Sequence, residues 1–129
     1  MKNPFIYLFA VVMSAISLTS CSSDDDKPVS SSREIKYEVT GTTTATDMSV
    51  TYTTNGGGTS VDVPSLPWTY TYTAESNTLA GGFSFSASDA APGEKVTLNV
   101  YQGDTKLESV EGTANSDGII VATISGTFN

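Results

Sequence analysis

From Arg33 onward, apolar residues recur at every second position and almost never at helical spacing, and this alternation limits what the chain can fold into. In REIKYEVT (33 to 40), Ile35, Tyr37 and Val39 alternate with Glu34, Lys36 and Glu38, so one face of the segment is greasy and the other wet. That is the text of a half-exposed antiparallel strand. DMSVTYTT (47 to 54) repeats it with Met48, Val50 and Tyr52, and TSVDV (59 to 63) with Val61 and Val63. WTYTYT (68 to 73) places Trp68, Tyr70 and Tyr72 on one face, FSFSAS (83 to 88) does so with Phe83, Phe85 and Ala87, and VTLNVY (96 to 101) with Val96, Leu98 and Val100.

Between these runs stand residues that bend a chain. Asn55-Gly56-Gly57-Gly58 and Gly103-Asp104 read as hairpin tips, and Asp89-Ala90-Ala91-Pro92-Gly93 and Asn115-Ser116-Asp117-Gly118 as turns. Pro64 and Pro67 bracket a stretch that cannot complete a ladder, since proline has no N–H to give. In KLESVEG (106 to 112), Leu107 and Val110 are out of phase, which predicts a bulge or an early strand end. IIVATISGTF (119 to 128) carries apolar residues on both faces and predicts an inner strand covered on each side. Seven or eight strands in residues 33 to 129, with no convincing helix, predict an all-β fold: an antiparallel two-sheet sandwich of immunoglobulin-like type, with a small closed barrel as the alternative.

The first 32 residues follow different rules. Lys2 precedes an apolar run of 14 residues, Phe5 to Leu18, a length suited to a signal peptide and short for a membrane-spanning helix. Leu18-Thr19-Ser20-Cys21 resembles the bacterial lipobox, in which the cysteine sulfur takes a diacylglyceryl group and the residue becomes the new amino terminus. Residues 1 to 20 are then a lipoprotein signal peptide, and acyl chains on Cys21 hold the protein to a membrane, each buried methylene contributing roughly 0.8 kcal/mol. Ser22, Ser23, Asp24, Asp25 and Asp26 resemble the acidic export signal that follows the lipidated cysteine in many surface-exposed lipoproteins of Gram-negative bacteria. The same acids also keep a tether extended by self-repulsion. The tether spans residues 21 to 32. The expected address is the outer membrane, facing outward, with a periplasm-facing orientation as the alternative.

The chemistry available is narrow. The chain has no histidine and a single cysteine, so Ser-His-Asp and Cys-His catalysis, an internal disulfide and Cys/His zinc sites are excluded by count. Asp62, Glu75, Asp89, Glu94, Asp104, Glu108, Glu111 and Asp117 fall mostly at turns or outward positions and read as solvated charge. The aspartate run, adjacent carboxylates on a flexible strand, is not preorganised as a calcium cage, and the Asn115 to Gly118 turn lacks the full spacing of a calcium loop. No metal, cofactor or enzymatic activity is expected. Fourteen acids against six bases give a net charge of −8, which repels phosphate backbones and argues against nucleic acid.

Three stretches, IKYEVTG (35 to 41), VTYTTNGG (50 to 57) and LPWTYTYT (66 to 73), followed by VTLNVYQGDTKLES (96 to 109), resemble in order and spacing the extracytoplasmic domain of MmpS-type proteins. Those are small accessory partners of mycobacterial membrane transporters. The resemblance implies a β-sandwich that works by touching another protein and carries over no catalytic residue. The chain departs from that pattern in its anchor, a lipidated Cys21 in place of a membrane helix, and in lacking a later cysteine pair. A second expectation comes from Trp68, Tyr70 and Tyr72, candidate ligand contacts that could stack on sugar rings if they do not fill the core. The sequence therefore leaves two roles open, an envelope module that binds a protein partner and a surface glycan-binding lipoprotein.

Overall fold

A computed structural model describes residues 32 to 129. Cys21, Ser22, Ser23, Asp24, Asp25 and Asp26, expected to carry the anchor and the export signal, lie outside the described residues. Eight strands follow one another: β1 Glu34–Gly41, β2 Asp47–Thr54, β3 Gly57–Asp62, β4 Trp68–Thr73, β5 Ala80–Ser88, β6 Lys95–Gln102, β7 Thr105–Thr113 and β8 Ile120–Thr127. They form two four-stranded antiparallel sheets, ordered β4-β1-β6-β7 and β3-β2-β5-β8, packed as a sandwich rather than closed into a barrel.

The period-two faces explain the packing. Ile35, Tyr37, Val39, Val50, Phe85, Val96, Leu98, Val100 and Ile120 are fully buried, and with Met48, Tyr52, Phe83 and Ile124 they make one core between the sheets. That core uses residues 35 to 128 alone. The turns fall where the sequence places them. β2 and β3 are joined by Asn55 and Gly56, with Gly57 at φ 121°; Gly103, at φ 57°, opens the two-residue link from β6 to β7. Gly118 takes φ 75° in the Asn115 turn, whose Oδ1 accepts the N–H groups of Asp117 and Ile119. Between β3 and β4 the Leu66–Pro67 peptide is cis.

The bulge expected near Leu107 is present. Val100 pairs with Glu108 and Tyr101 with Lys106, so Leu107 is the extra residue of β7, and it shares the core-facing side with Val110 despite their odd spacing. The reading of 119 to 128 as an inner strand is corrected. β8 pairs only with β5 and is an edge strand; Ile120, Ala122 and Ile124 point inward, while Val121 is 68% exposed and Ile119 43%. Three consecutive apolar residues, Ile119 to Val121, suggest two covered faces, yet the outer face of this sheet is open.

Candidate interaction surface

The three aromatic residues picked out from the sequence sit together on β4, an edge strand, and all three turn inward. β1 sets their places: Val39 is opposite Trp68, Tyr37 opposite Tyr70 and Ile35 opposite Tyr72. Because β4 is at the margin, these side chains are half-buried, whereas their β1 partners are fully buried.

Their rings join an aromatic layer with the opposite sheet. Tyr70 lies 4.3 Å from Tyr52 between ring centroids, Trp68 lies 5.9 Å from Tyr52 and 6.0 Å from Phe83, and Tyr72 lies 5.7 Å from Tyr37. All are tilted, the arrangement that ring quadrupoles favour over a face-to-face sandwich. The polar ends are also used. Tyr37 donates its hydroxyl to the Thr53 carbonyl at 2.9 Å, and its oxygen lies 3.2 Å from the Tyr72 hydroxyl. Room for that pair comes from Gly81, where a Cβ would stand 2.5 Å from the Tyr37 hydroxyl and 3.1 Å from that of Tyr72. Burial pushes the Tyr72 hydroxyl well above the ordinary tyrosine value, and its bond with Tyr37 pushes the same way. Tyr52 is raised as well, first by burial and then by Tyr70. These hydroxyls stay protonated and serve as neutral hydrogen-bonding groups.

The other face of β4 is Thr69, Thr71 and Thr73, all exposed. On the next strands of that outer face a polar network forms, which the sequence did not announce. Glu38 Oε1 accepts from Asn99 Nδ2 at 3.0 Å and from the Tyr101 hydroxyl at 3.1 Å, and Ser109 donates to Asn99 Oδ1 at 2.7 Å. Lys36 lies 4.3 Å from the Tyr101 ring centroid. Asn99 is buried, and its amide is satisfied on both ends. The opposite sheet has an outer face of small hydroxyls, Thr51, Thr53, Ser84, Thr123 and Ser125, around a shallow depression of about 500 Å3.

The acidic residues lie mostly exposed, as the sequence leads one to expect, with Glu94 set apart by its partners. Glu94 is a clamp: its carboxylate accepts from Thr43 Oγ1 at 2.6 Å, Thr44 N–H at 2.8 Å and Thr44 Oγ1 at 2.8 Å, tying the β1–β2 loop to the β5–β6 loop. These bonds, with that of Thr43 foremost, hold the Glu94 carboxyl below its usual range. Asp89 accepts from Thr46 at 3.0 Å, and Glu111 pairs with Lys95 at 3.2 Å on the exposed surface. The sequence shows the threonine run at 42 to 44 but not that Thr43 and Thr44 meet an acid fifty residues away. Among the described residues, no three His, Cys, Asp or Glu side chains are grouped to hold a metal ion.

Set against family models, curated proteins and solved structures, the chain finds no match in any of the three.

Proposed function

We propose that this protein is a non-catalytic, lipid-anchored envelope module that works by binding another protein. In this reading residues 1 to 20 are removed, acyl chains on Cys21 hold the protein to the outer membrane of a Gram-negative bacterium, and Ser22 to Asp26 direct it to the cell surface. The sandwich then sits at the end of a tether as an accessory domain of the kind that MmpS-type proteins carry. The observation that carries the protein-binding role is the direction of the aromatic stripe. Trp68, Tyr70 and Tyr72 are engaged in ring pairs with Tyr37, Tyr52 and Phe83, so the strand presents threonines and its main chain outward rather than a stacking platform.

Affinity capture of the tethered protein from envelope preparations tests the role. A stoichiometric envelope protein is the expected result, and capture of nothing above background counts against it. Mass spectrometry of the mature amino terminus tests the anchor, which requires a lipid on the Cys21 sulfur. Binding of glycans is the second reading, favoured by the half-burial of the same three rings at a strand edge. Trp68 is the single tryptophan of the chain, so its fluorescence reports on polysaccharide binding directly. A shift with any glycan supports that reading in place of the first.

A further inference from the structure

The main chain of β4 has a free side, and its hydrogen-bonding groups can be assigned one by one. Ala74 donates its N–H to the Arg33 carbonyl at 2.8 Å, so in the β1–β4 ladder Tyr72, Tyr70 and Trp68 also turn their main-chain groups toward β1. Thr73, Thr71 and Thr69 turn theirs away. The alternation agrees with the far side of β1, where Glu34, opposite Thr73, gives its carbonyl to the Gly103 N–H across from β6.

One end of this free edge is already capped. Asn55 Nδ2 donates to the Thr73 carbonyl at 2.8 Å, and Asn55 Oδ1 accepts the Glu75 N–H at 2.9 Å. A side-chain amide has the donor and acceptor of a peptide unit, so Asn55 occupies the place of one rung of an added strand. At the other end Pro67 has no N–H. Between them, the outward N–H and C=O of Thr69 and Thr71 have no partner among the described residues. Beyond its short length and the proline at its start, the edge carries neither of two further protecting devices, charge and a bulge.

We infer that this edge is a self-association surface, and that two copies pair β4 against β4 about a twofold axis with Thr69 of each opposite Thr71 of the other. Two independent features select that register. First, it exchanges main-chain bonds between the two threonines left unpaired on each copy. Second, it sets Pro67 opposite the partner copy's Thr73: the proline cannot donate, and the Thr73 carbonyl it faces is the one Asn55 already satisfies. Lys36 and Glu38, the β1 neighbours of Thr71 and Thr69, already pair with each other at 3.9 Å and stand about 14 Å from their counterparts across the joint, beyond the screening length, so charge does not set the register. Sliding the pairing so that Thr71 meets Thr71 would instead set Thr69 against Thr73, whose carbonyl Asn55 already holds. On the inner face the chosen register brings Tyr70 to Tyr70 and Trp68 to Tyr72, so the half-buried stripes of the two copies cover one another. The product is one continuous eight-stranded sheet, and an isologous contact of this kind closes at two copies.

The compact unit Ser31–Asn129 contains the core and no cysteine, which makes it the material for the test. Sedimentation equilibrium across micromolar to millimolar concentrations is expected to show a reversible monomer–dimer equilibrium. Thr71→Glu faces Lys36 within its own chain and Glu38 across the joint, so it is expected to weaken association about tenfold while leaving the thermal midpoint in place. Under oxidation, a mixture of Thr69→Cys and Thr71→Cys chains is expected to cross-link with each other. A unit that stays monomeric throughout, a Thr71→Glu dimer of unchanged strength, or cross-linking of Thr71→Cys chains with themselves in preference would each overturn the inference. Should Thr71→Glu fail to fold, the cysteine pair decides the matter alone. Self-association stands apart from the envelope role, because the unit tested carries neither anchor nor partner.

Discussion

The two flanks of the sandwich handle their edges in opposite ways. On one flank β7 and β8 close on each other: a Cβ on Gly112 would come within 3.0 Å of Ala122 and 3.1 Å of Ile120, and one on Gly126 within 3.4 Å of Leu107. Small residues there let the sheets meet, the bulge at Leu107 interrupts the β7 ladder, and Lys106, Glu108 and Glu111 charge that strand. On the other flank β4 has neither bulge nor charge, and its large rings remain half-buried. On the first flank close packing, charge and a bulge protect β7; on the second, the inferred pairing would cover the aromatic stripe and the unpaired threonines together.

The contrast predicts unequal costs for truncating side chains on the two flanks. Ile120 is fully buried beside β7, so Ile120→Ala removes well-packed methylenes and leaves a cavity, at a cost of about 3–4 kcal/mol. Tyr70 is half-buried, so Tyr70→Ala at concentrations where the unit is monomeric is expected to cost about 2 kcal/mol, much of it the lost ring pair with Tyr52. Urea denaturation of both variants makes the comparison. Equal losses would mean that the β4 flank is as finished as the β8 flank.

Overpacking probes the closed flank from the other direction. Gly112→Val puts two methyl groups where Ala122, Ile120 and Val96 already stand, the last at 3.5 Å from a Cβ. The expected loss is about 2 kcal/mol, since backbone and rotamers must shift to admit the new atoms. A neutral effect in the same denaturation assay would show that the two strands can part there without penalty.

A subtler probe of the open flank is Tyr37→Phe. The hydroxyl that this change deletes donates to the Thr53 carbonyl and faces the Tyr72 hydroxyl, while the ring contacts with Tyr52, Tyr72 and Phe83 survive. A loss of about 1 kcal/mol is expected, the usual net worth of one hydrogen bond. Alkaline titration reads the partner hydroxyl, that of Tyr72. Tyr72 ionises later in the folded chain than in the unfolded one, so its contribution is whole below the ordinary tyrosine value and fades as pH rises above it. Wild type is therefore expected to lose thermal midpoint above about pH 10, with Tyr72→Phe losing less.

How much of this was legible beforehand follows from what an alternating pattern encodes. Period two says which face of a strand is buried, and for Ile35, Tyr37 and Val39 or Phe83, Phe85 and Ala87 that reading matches the burial found. Glycines and asparagines located the turns, and the phase error between Leu107 and Val110 located the bulge. The pattern does not say which strands are neighbours, so the orders β4-β1-β6-β7 and β3-β2-β5-β8, and with them the edge position of β4, come from the structure alone. The same gap misplaced β8. Asn55 illustrates a second limit: as a turn residue it was read for its backbone, and its side chain proved to cap the strand edge of β4. Glu94 reads as solvated in the sequence because its partners, Thr43 and Thr44, lie far off along the chain.

Glu94 also supplies the smallest effect, and one that belongs to neither flank, because its clamp joins two loops at the end of the sandwich. Three hydrogen bonds favour its charged form, so the folded chain releases this proton at lower pH than the unfolded chain does. The stabilisation is therefore whole above the ordinary glutamate value and drains away as pH falls through the lowered one. Glu94→Gln keeps the shape but carries no charge at any pH, so it removes the clamp's charge-assisted part without removing its bulk. Melting curves at pH 7 are expected to place the variant slightly below wild type, and the gap is expected to narrow as pH drops below about 4.5. A gap that holds constant down to pH 3 would mean that the carboxylate charge contributes nothing and that Thr43 and Thr44 are held by shape alone.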